Sequence, residues 1–328
     1  MALSNNLRRL LPIAVSAAII AFAARELIGT LHRLNVHDVL AALQRIDPAE
    51  VVVGAVLVCV LYAALSTCEV AIARFVNGPV SPRRAVLGAM LAAPIGHAVG
   101  WGAVSGGAIR YRIYSAVLTR PLDIGKMVLL ASIPYPAGLG LLLGASLVLQ
   151  SGAAATILHV SADLARGTGL ALLALHAIYL TLILKRRRPF DFGRFILVLP
   201  PPRLTAVQYL VGIIEVFCGA GVLYVLLPHG IGLPFMVFLG VYVLCILAAI
   251  ASSVPAGIGV FEAVLLGLLP HIAPAELLGS VLAYRFVLEL VPLLIALVLF
   301  ASYELWWRLP AQRARLARLR AAEVCDED

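Results

Sequence analysis

Apolar runs of membrane-spanning length recur along almost the whole chain. Glu50 to Phe75, Met127 to Leu149, Thr168 to Leu184, Ala206 to Leu227, Pro234 to Ala251 and Leu277 to Trp306 are each nearly free of charge. About 20 such residues cross the ~30 Å hydrocarbon core of a bilayer as a helix. Leu10 to Ala24 and a broken run from Ala85 to Val104 add to these, giving about seven or eight spans. Lipid offers no partner to backbone N–H and C=O groups, so spanning segments must be helices or closed barrels. Runs this long are helical, and the expected fold is an all-α polytopic transmembrane bundle. The composition agrees: 62% of residues are hydrophobic and 13% charged, against roughly 25% charged in soluble domains. The sequence reads as a membrane domain over 1–307 with a basic, then acidic, tail over 308–328. No room is left for a sizeable soluble catalytic domain.

The net charge of +8 is carried almost wholly by arginine, since Lys126 and Lys185 are the only lysines. In a membrane protein this excess marks cytoplasmic loops and contacts with anionic headgroups, not nucleic acid. Arg83/Arg84, Lys185 to Arg188 and Arg313 to Arg320 are therefore assigned to the cytoplasmic side. The turns at 151–156, 228–233 and 271–275 carry no Lys or Arg and are assigned to the other side. These assignments agree if 85–114 enters and returns on one side and 254–269 counts as one short crossing; both termini are then cytoplasmic. A re-entrant 254–269 would instead put the tail outside, and the sequence leaves that choice open. Arg8 and Arg9 precede the Leu10 to Ala24 run, read as an uncleaved anchor despite its Ala21-Phe22-Ala23 end. Val36 to Ile46 has the spacing of an interfacial helix, and Arg308 to Arg320 reads equally as a helix on anionic lipid or a solvated stop-transfer tail.

Two of the apolar stretches are broken. Ser252 to Leu269 opens with Pro255, Gly257 and Gly259 and then carries Glu262. Ala85 to Tyr114 contains Pro94, Gly96, Gly100 and Gly102 and ends in Ser105-Gly106-Gly107-Ala108-Ile109-Arg110-Tyr111-Arg112. Broken backbone at membrane depth is tolerated only inside protein or beside a wet cavity. An ionisable residue there is a functional candidate by default. The two breaks are also where an internal inverted repeat would bring discontinuous helices together. Arg110 and Arg112, after the flexible Gly106-Gly107 turn, have the chemistry to clamp a lipid phosphate. The same pair also suits a plain positive flank with Tyr111 and Tyr114 at the interface. Glu262 has three readings: a site for a cationic headgroup, a partner of Arg285 or of Arg110/Arg112, or a proton acceptor. Arg285 and Glu289 are four apart, hence helical neighbours that must face the bundle interior. Glu69 and Glu215 read the same way. His97 and His176 read as hydrogen-bonded core residues. The five scattered cysteines form no CxxC pair and read as packing residues. No P-loop, H-E-x-x-H or G-x-S-x-G motif is present, so no nucleotide drive, cofactor or hydrolytic centre is expected.

Four motifs together carry a family resemblance. They are Cys68-Glu69-Val70 with Ala73-Arg74-Phe75; GHAVGWGAVSGGAIRYRIY over 96–114; PAGIGVFE over 255–262; and YRFVLELVP over 284–292. In order and spacing, over about residues 10 to 305, the chain resembles the membrane region of the lysylphosphatidylglycerol synthase/flippase family. That resemblance implies a helix bundle with broken elements that handles lipid headgroups, anionic or aminoacylated. In the full-length relatives a separate soluble domain attaches the amino acid, and this sequence stops at Asp328 without one. The expectation is therefore a multi-pass protein of the bacterial inner membrane that translocates a phospholipid or lipid-linked substrate and is not an enzyme. The substrate would touch Arg110, Arg112, Glu262, Arg285, Glu289 and Glu69, and the backbone at Gly106, Gly107, Gly257 and Gly259. The alternative is a membrane scaffold or accessory subunit for a lipid- or glycan-modifying enzyme. A homo-oligomer is compatible with either.

Overall fold

The computed structural model describes residues 47–305 apart from short breaks at 77–79, 100–101, 119, 159, 186–189, 192–195, 198–199, 229–231, 253–256 and 258. The expected N-terminal anchor, the interfacial helix before Ile46 and the tail lie outside the described residues. The helices are α1 (Pro48–Phe75), α2 (Pro82–Val99), α3 (Gly102–Tyr114), α4 (Pro121–Ala131), α5 (Pro134–Leu149), α6 (Ser151–Leu158), α7 (Ala162–Lys185), α8 (Pro202–Val225), α9 (Phe235–Ser252), α10 (Val260–Leu268) and α11 (Pro274–Leu305). A two-residue ladder pairs Phe190 with Leu197 between α7 and α8. Among the described residues, six helical segments are long and apolar enough to cross a membrane: α1, α4–α5 together, α7, α8, α9 and α11. The fold is the polytopic helical bundle expected.

Local chemistry sets the boundaries. Asp47 caps α1, accepting the Ala49 N–H at 2.9 Å, and Pro48 occupies the first turn where its missing N–H goes unused. Pro134 opens α5, so the single run read from Met127 to Leu149 is two helices that meet at Ser132-Ile133. Pro134 has no N–H to continue the helical hydrogen-bond ladder, which explains the junction although Ile133 itself keeps helical angles (φ −77°, ψ −41°).

The broken 85–114 segment is a helical hairpin. Ser105 Oγ donates to the Gly96 carbonyl at 3.4 Å near the bend. Further along, a Cβ at Gly106 would press on the Ala92 carbonyl at 3.0 Å, and one at Gly88 would collide with the Tyr114 hydroxyl. Residues 96/105, 92/106 and 88/114 thus face one another, so the two legs run antiparallel and leave on the side where they entered. The other broken segment resolves as a half-helix. Gly257 (φ 61°) and Gly259 (φ 87°) take left-handed conformations that side chains resist. The nine residues of α10 then span only ~14 Å, about half of the hydrocarbon core.

Two apolar cores result. One gathers α1 to α4 with Leu293, Ala296 and Phe300 of α11, around the hairpin. The other gathers α8, α9, α10 and the first half of α11, around the half-helix. Leu61 and Tyr62 of α1 meet Cys218 of α8 between them. Helices gain little hydrophobic energy by associating in lipid, so close contact between small residues matters more. At the α5–α8 crossing a Cβ on Gly138 would strike the Gly212 carbonyl, and one on Gly212 the Pro134 carbonyl. Gly212→Ala is therefore expected to destabilise the protein by about 1–3 kcal/mol, the usual penalty for overpacking. Thermal melting in detergent checks this beside Gly125→Ala, whose Cβ meets nothing within 4 Å and should not lower the melting temperature.

Candidate functional site

The charged residues singled out in the sequence assemble into two clusters, one on each broken element. On the hairpin, α3 presents Arg110 to Glu69 of α1. The contact is bidentate, with Nε to Oε1 and Nη2 to Oε2 both 2.9 Å. Tyr114, one turn on, donates its hydroxyl to Glu69 Oε1 at 2.8 Å. Three charge-assisted or hydroxyl donors thus saturate one buried carboxylate, the arrangement that makes a charge tolerable away from water.

Arg112 turns elsewhere. Its Nε lies 2.8 Å from Glu304 Oε1 on the last turn of α11 and its Nη2 2.9 Å from Oε2. At 3.6 residues per turn, two positions apart lie nearly on opposite faces of a helix. Arg110 and Arg112 therefore do not form the joint clamp expected from the sequence; each is committed to its own carboxylate. Gly106 and Gly107 are buried packing positions. A Cβ would meet the Ala92 carbonyl at the first and Val128 of α4 at the second, both at 3.0 Å.

The second cluster sits at the half-helix. Glu262, in the first turn of α10, accepts the Gly259 N–H at 2.7 Å through Oε2, tying down the turn that the two left-handed glycines create. Its Oε1 takes Arg285 Nε at 2.8 Å and Nη2 at 2.7 Å. Of the three readings of Glu262, the structure displays the pairing with Arg285. Arg285 Nη1 also reaches Glu289 Oε2 at 3.2 Å. Arg285 is 5% exposed, whereas Glu289 keeps 35% of its side chain accessible. Phe286–Leu290, which carries Glu289, forms a π-helical turn, a feature common at functional sites. Around the cluster, Phe261 and Tyr284 stack with rings 4° from parallel, and the Tyr284 and Tyr242 hydroxyls share a 2.9 Å hydrogen bond.

Glu215 lies between the clusters, on α8, and is 7% exposed. Of the histidines, His176 is hydrogen-bonded to the Leu172 and Ala137 carbonyls as expected. His97 is instead accessible beside the Tyr135 ring, 6.2 Å between centroids. Cys68, Cys218 and Cys245 are buried free thiols and Cys59 is exposed. No metal-ligand cluster occurs among the described residues. Sequence reasoning overlooked Glu304 and the role of Tyr114. A carboxylate in the last turn of a span was the available signal for Glu304.

The chain is 28% identical over 304 residues to the uncharacterized protein slr0712 of Synechocystis, covering 92% of this chain and 94% of that one. It is 29% identical over 206 residues to the inner membrane protein YbhN of Escherichia coli, covering 61% of this chain and 64% of YbhN. A 97-residue stretch is 38% identical to phosphatidylglycerol lysyltransferase of Staphylococcus epidermidis, covering 29% of this chain and 11% of the transferase. No protein-family model matches the chain. The chain is a multi-pass membrane protein related to YbhN and to the membrane part of phosphatidylglycerol lysyltransferase. It spans only about a tenth of the transferase's length, 11%.

Proposed function

We propose that the protein moves a phospholipid or lipid-linked substrate between the leaflets of the bacterial inner membrane, as a carrier and not an enzyme, with both termini cytoplasmic. The observation that carries this reading is the Glu262–Arg285–Glu289 cluster. It is a guanidinium held between two carboxylates, one of them open, at the N-terminus of a half-helix inside the bundle. The N-terminus of a helix carries partial positive charge and unpaired N–H groups that favour an anion. The 3.2 Å contact to Glu289 is the longer and more accessible of the two carboxylate contacts of Arg285. In this reading a headgroup phosphate displaces Glu289 from Arg285 while Glu262 keeps the guanidinium oriented. The freed Glu289 then suits an amino group on the same headgroup. Arg110 would act in the same way on the hairpin side, exchanging Glu69 for phosphate. The relationship to YbhN and to the membrane part of phosphatidylglycerol lysyltransferase supports a lipid-handling role.

The test is lipid exchange between leaflets in proteoliposomes. Fluorescent phospholipids of several headgroups, including a lysyl lipid, are followed with wild type beside Glu262→Gln and Arg110→Ala. Wild type is expected to move at least one headgroup class. Each variant, verified as folded by gel filtration and circular dichroism, is expected to be slower by about tenfold or more, equivalent to ~1.4 kcal/mol. Wild type that is folded and moves no lipid would turn the reading towards a scaffold for a lipid- or glycan-modifying enzyme. Variants as fast as wild type would remove these residues from the site.

A further inference from the structure

Glu215 is the carboxylate that neither cluster uses. It sits mid-way along α8, between Val211 in the hairpin core and Val216 in the half-helix core. It is 93% buried, the complement of its 7% exposure, and among the described residues no hydrogen bond or ion pair reaches it. Yet its oxygens are not sealed in. Gln208 Oε1, two turns earlier on α8, is fully enclosed without a partner, whereas the Glu215 oxygens keep accessible surface. Titratable and charged groups on several helices lie within electrostatic reach of it. They are Tyr62 and Cys68 of α1, Arg110 of α3, Tyr135 of α5, Cys218 of α8 itself and Tyr242 of α9. Glu289 of α11 acts on the same Tyr62, Tyr135 and Tyr242. The Tyr62 and Tyr135 hydroxyls, like Glu215, have no hydrogen bond among the described residues.

An ionised carboxylate with no partner is too costly to leave in a dry interior, and it holds water around itself. The same group carrying a proton is neutral and lets the surrounding helices close. We propose that Glu215 is a proton-exchange site that couples lipid movement to proton movement. This rests on the transport reading above. From hydrated space on one side, hydronium donates a proton to the carboxylate, giving the acid and water. With the charge gone, the helices around α8 close over it and reopen on the other side. There the acid returns its proton to water and the carboxylate draws the space open again. The Glu69–Arg110 and Glu262–Arg285 pairs lie on the two cores that α8 joins.

Two readouts separate this proposal from the transport reading itself. The first is infrared spectroscopy of the full chain in detergent through a pH titration. A protonated-carboxyl band lost in Glu215→Gln, kept in Glu215→Asp and unaffected by Glu276→Gln at the exposed start of α11 is expected. A titration with no band assignable to Glu215 would overturn the proposal. The second is lipid movement in proteoliposomes with and without a pH gradient. One coupled proton allows the wild-type rate ratio to change by up to about tenfold per pH unit of gradient. Glu215→Gln is expected to move lipid with no response to the gradient, and Glu215→Asp to restore the response. A wild type that moves lipid indifferently to the gradient overturns proton coupling while leaving the transport reading intact. A wild type that moves no lipid but shows the Glu215 band supports the proton site and counts against the lipid.

Discussion

Replacing Arg285 with methionine is expected to destabilise the protein by about 3–5 kcal/mol, because it leaves two carboxylates in the bundle without their shared cation. Glu262 is the more affected, since Arg285 supplies two contacts of 2.7 and 2.8 Å to one of its oxygens. The other oxygen is bonded to Gly259 N at 2.7 Å, so the disturbance passes directly into the turn that starts the half-helix. The burial of Arg285 decides the size of the effect, since an exposed pair of the same geometry would contribute under ~1 kcal/mol. Thermal melting in detergent measures the loss. The triple variant Glu262→Gln, Arg285→Met, Glu289→Gln discriminates between causes, because removing all three charges should recover much of the stability that the single change forfeits. Equal melting of wild type and Arg285→Met would show that the cluster carries no structural load.

Glu69→Ala is expected to act on the other half by a comparable amount, about 3–5 kcal/mol. It strands the Arg110 guanidinium and removes the acceptor of the Tyr114 hydroxyl, so the α3 leg of the hairpin loses its tie to α1. The chain carries its own reporter. Cys68 is 3% exposed next to Glu69, while Cys59, nine residues earlier on α1, is exposed. In a Cys59→Ser, Cys218→Ala, Cys245→Ala, Cys325→Ser background, maleimide labelling of Cys68 is expected to be slow with Glu69 present and to rise several-fold in Glu69→Ala. The double change Glu69→Leu, Arg110→Met should label slowly again, because it leaves no uncompensated charge. Fast labelling in that double variant would mean that shape, not charge, seats the hairpin.

The spans were legible in the sequence because hydrocarbon imposes length and composition on them directly. The half-helix was legible for a related reason. Pro255, Gly257, Gly259 and Glu262 break a run that has no other cause to be broken. Arg285 and Glu289 could be paired from spacing alone, since helical geometry fixes neighbours four apart. What spacing could not reveal were pairs closed by tertiary packing. Glu69 and Arg110 are 41 residues apart, and Arg112 and Glu304 are 192 apart. The expectation of a shared Arg110/Arg112 clamp failed on elementary grounds, since neighbours two apart diverge once the strand-like spelling Arg-Tyr-Arg is wound into a helix. The role of Glu215 was hidden for the opposite reason. Its distinction is the lack of a partner, and only the assembled bundle shows which carboxylates have found one.

Helix α7 carries a consequence of its own. Most of it faces outward, with Leu170, Leu175, Ile178, Leu182 and Leu184 exposed, and it meets α5 along a seam of glycines at Gly140, Gly144 and Gly169. Its apolar stretch 168–184 is ~26 Å long at ~1.5 Å per residue, short of the ~30 Å of an average hydrocarbon core. Arg166 and Lys185 fix the two ends in headgroup territory. A span whose apolar stretch is a few ångströms short of the average core is accommodated by a modest thinning of the lipid around it. Along this flank the leaflets are expected to stand slightly closer together than elsewhere in the membrane.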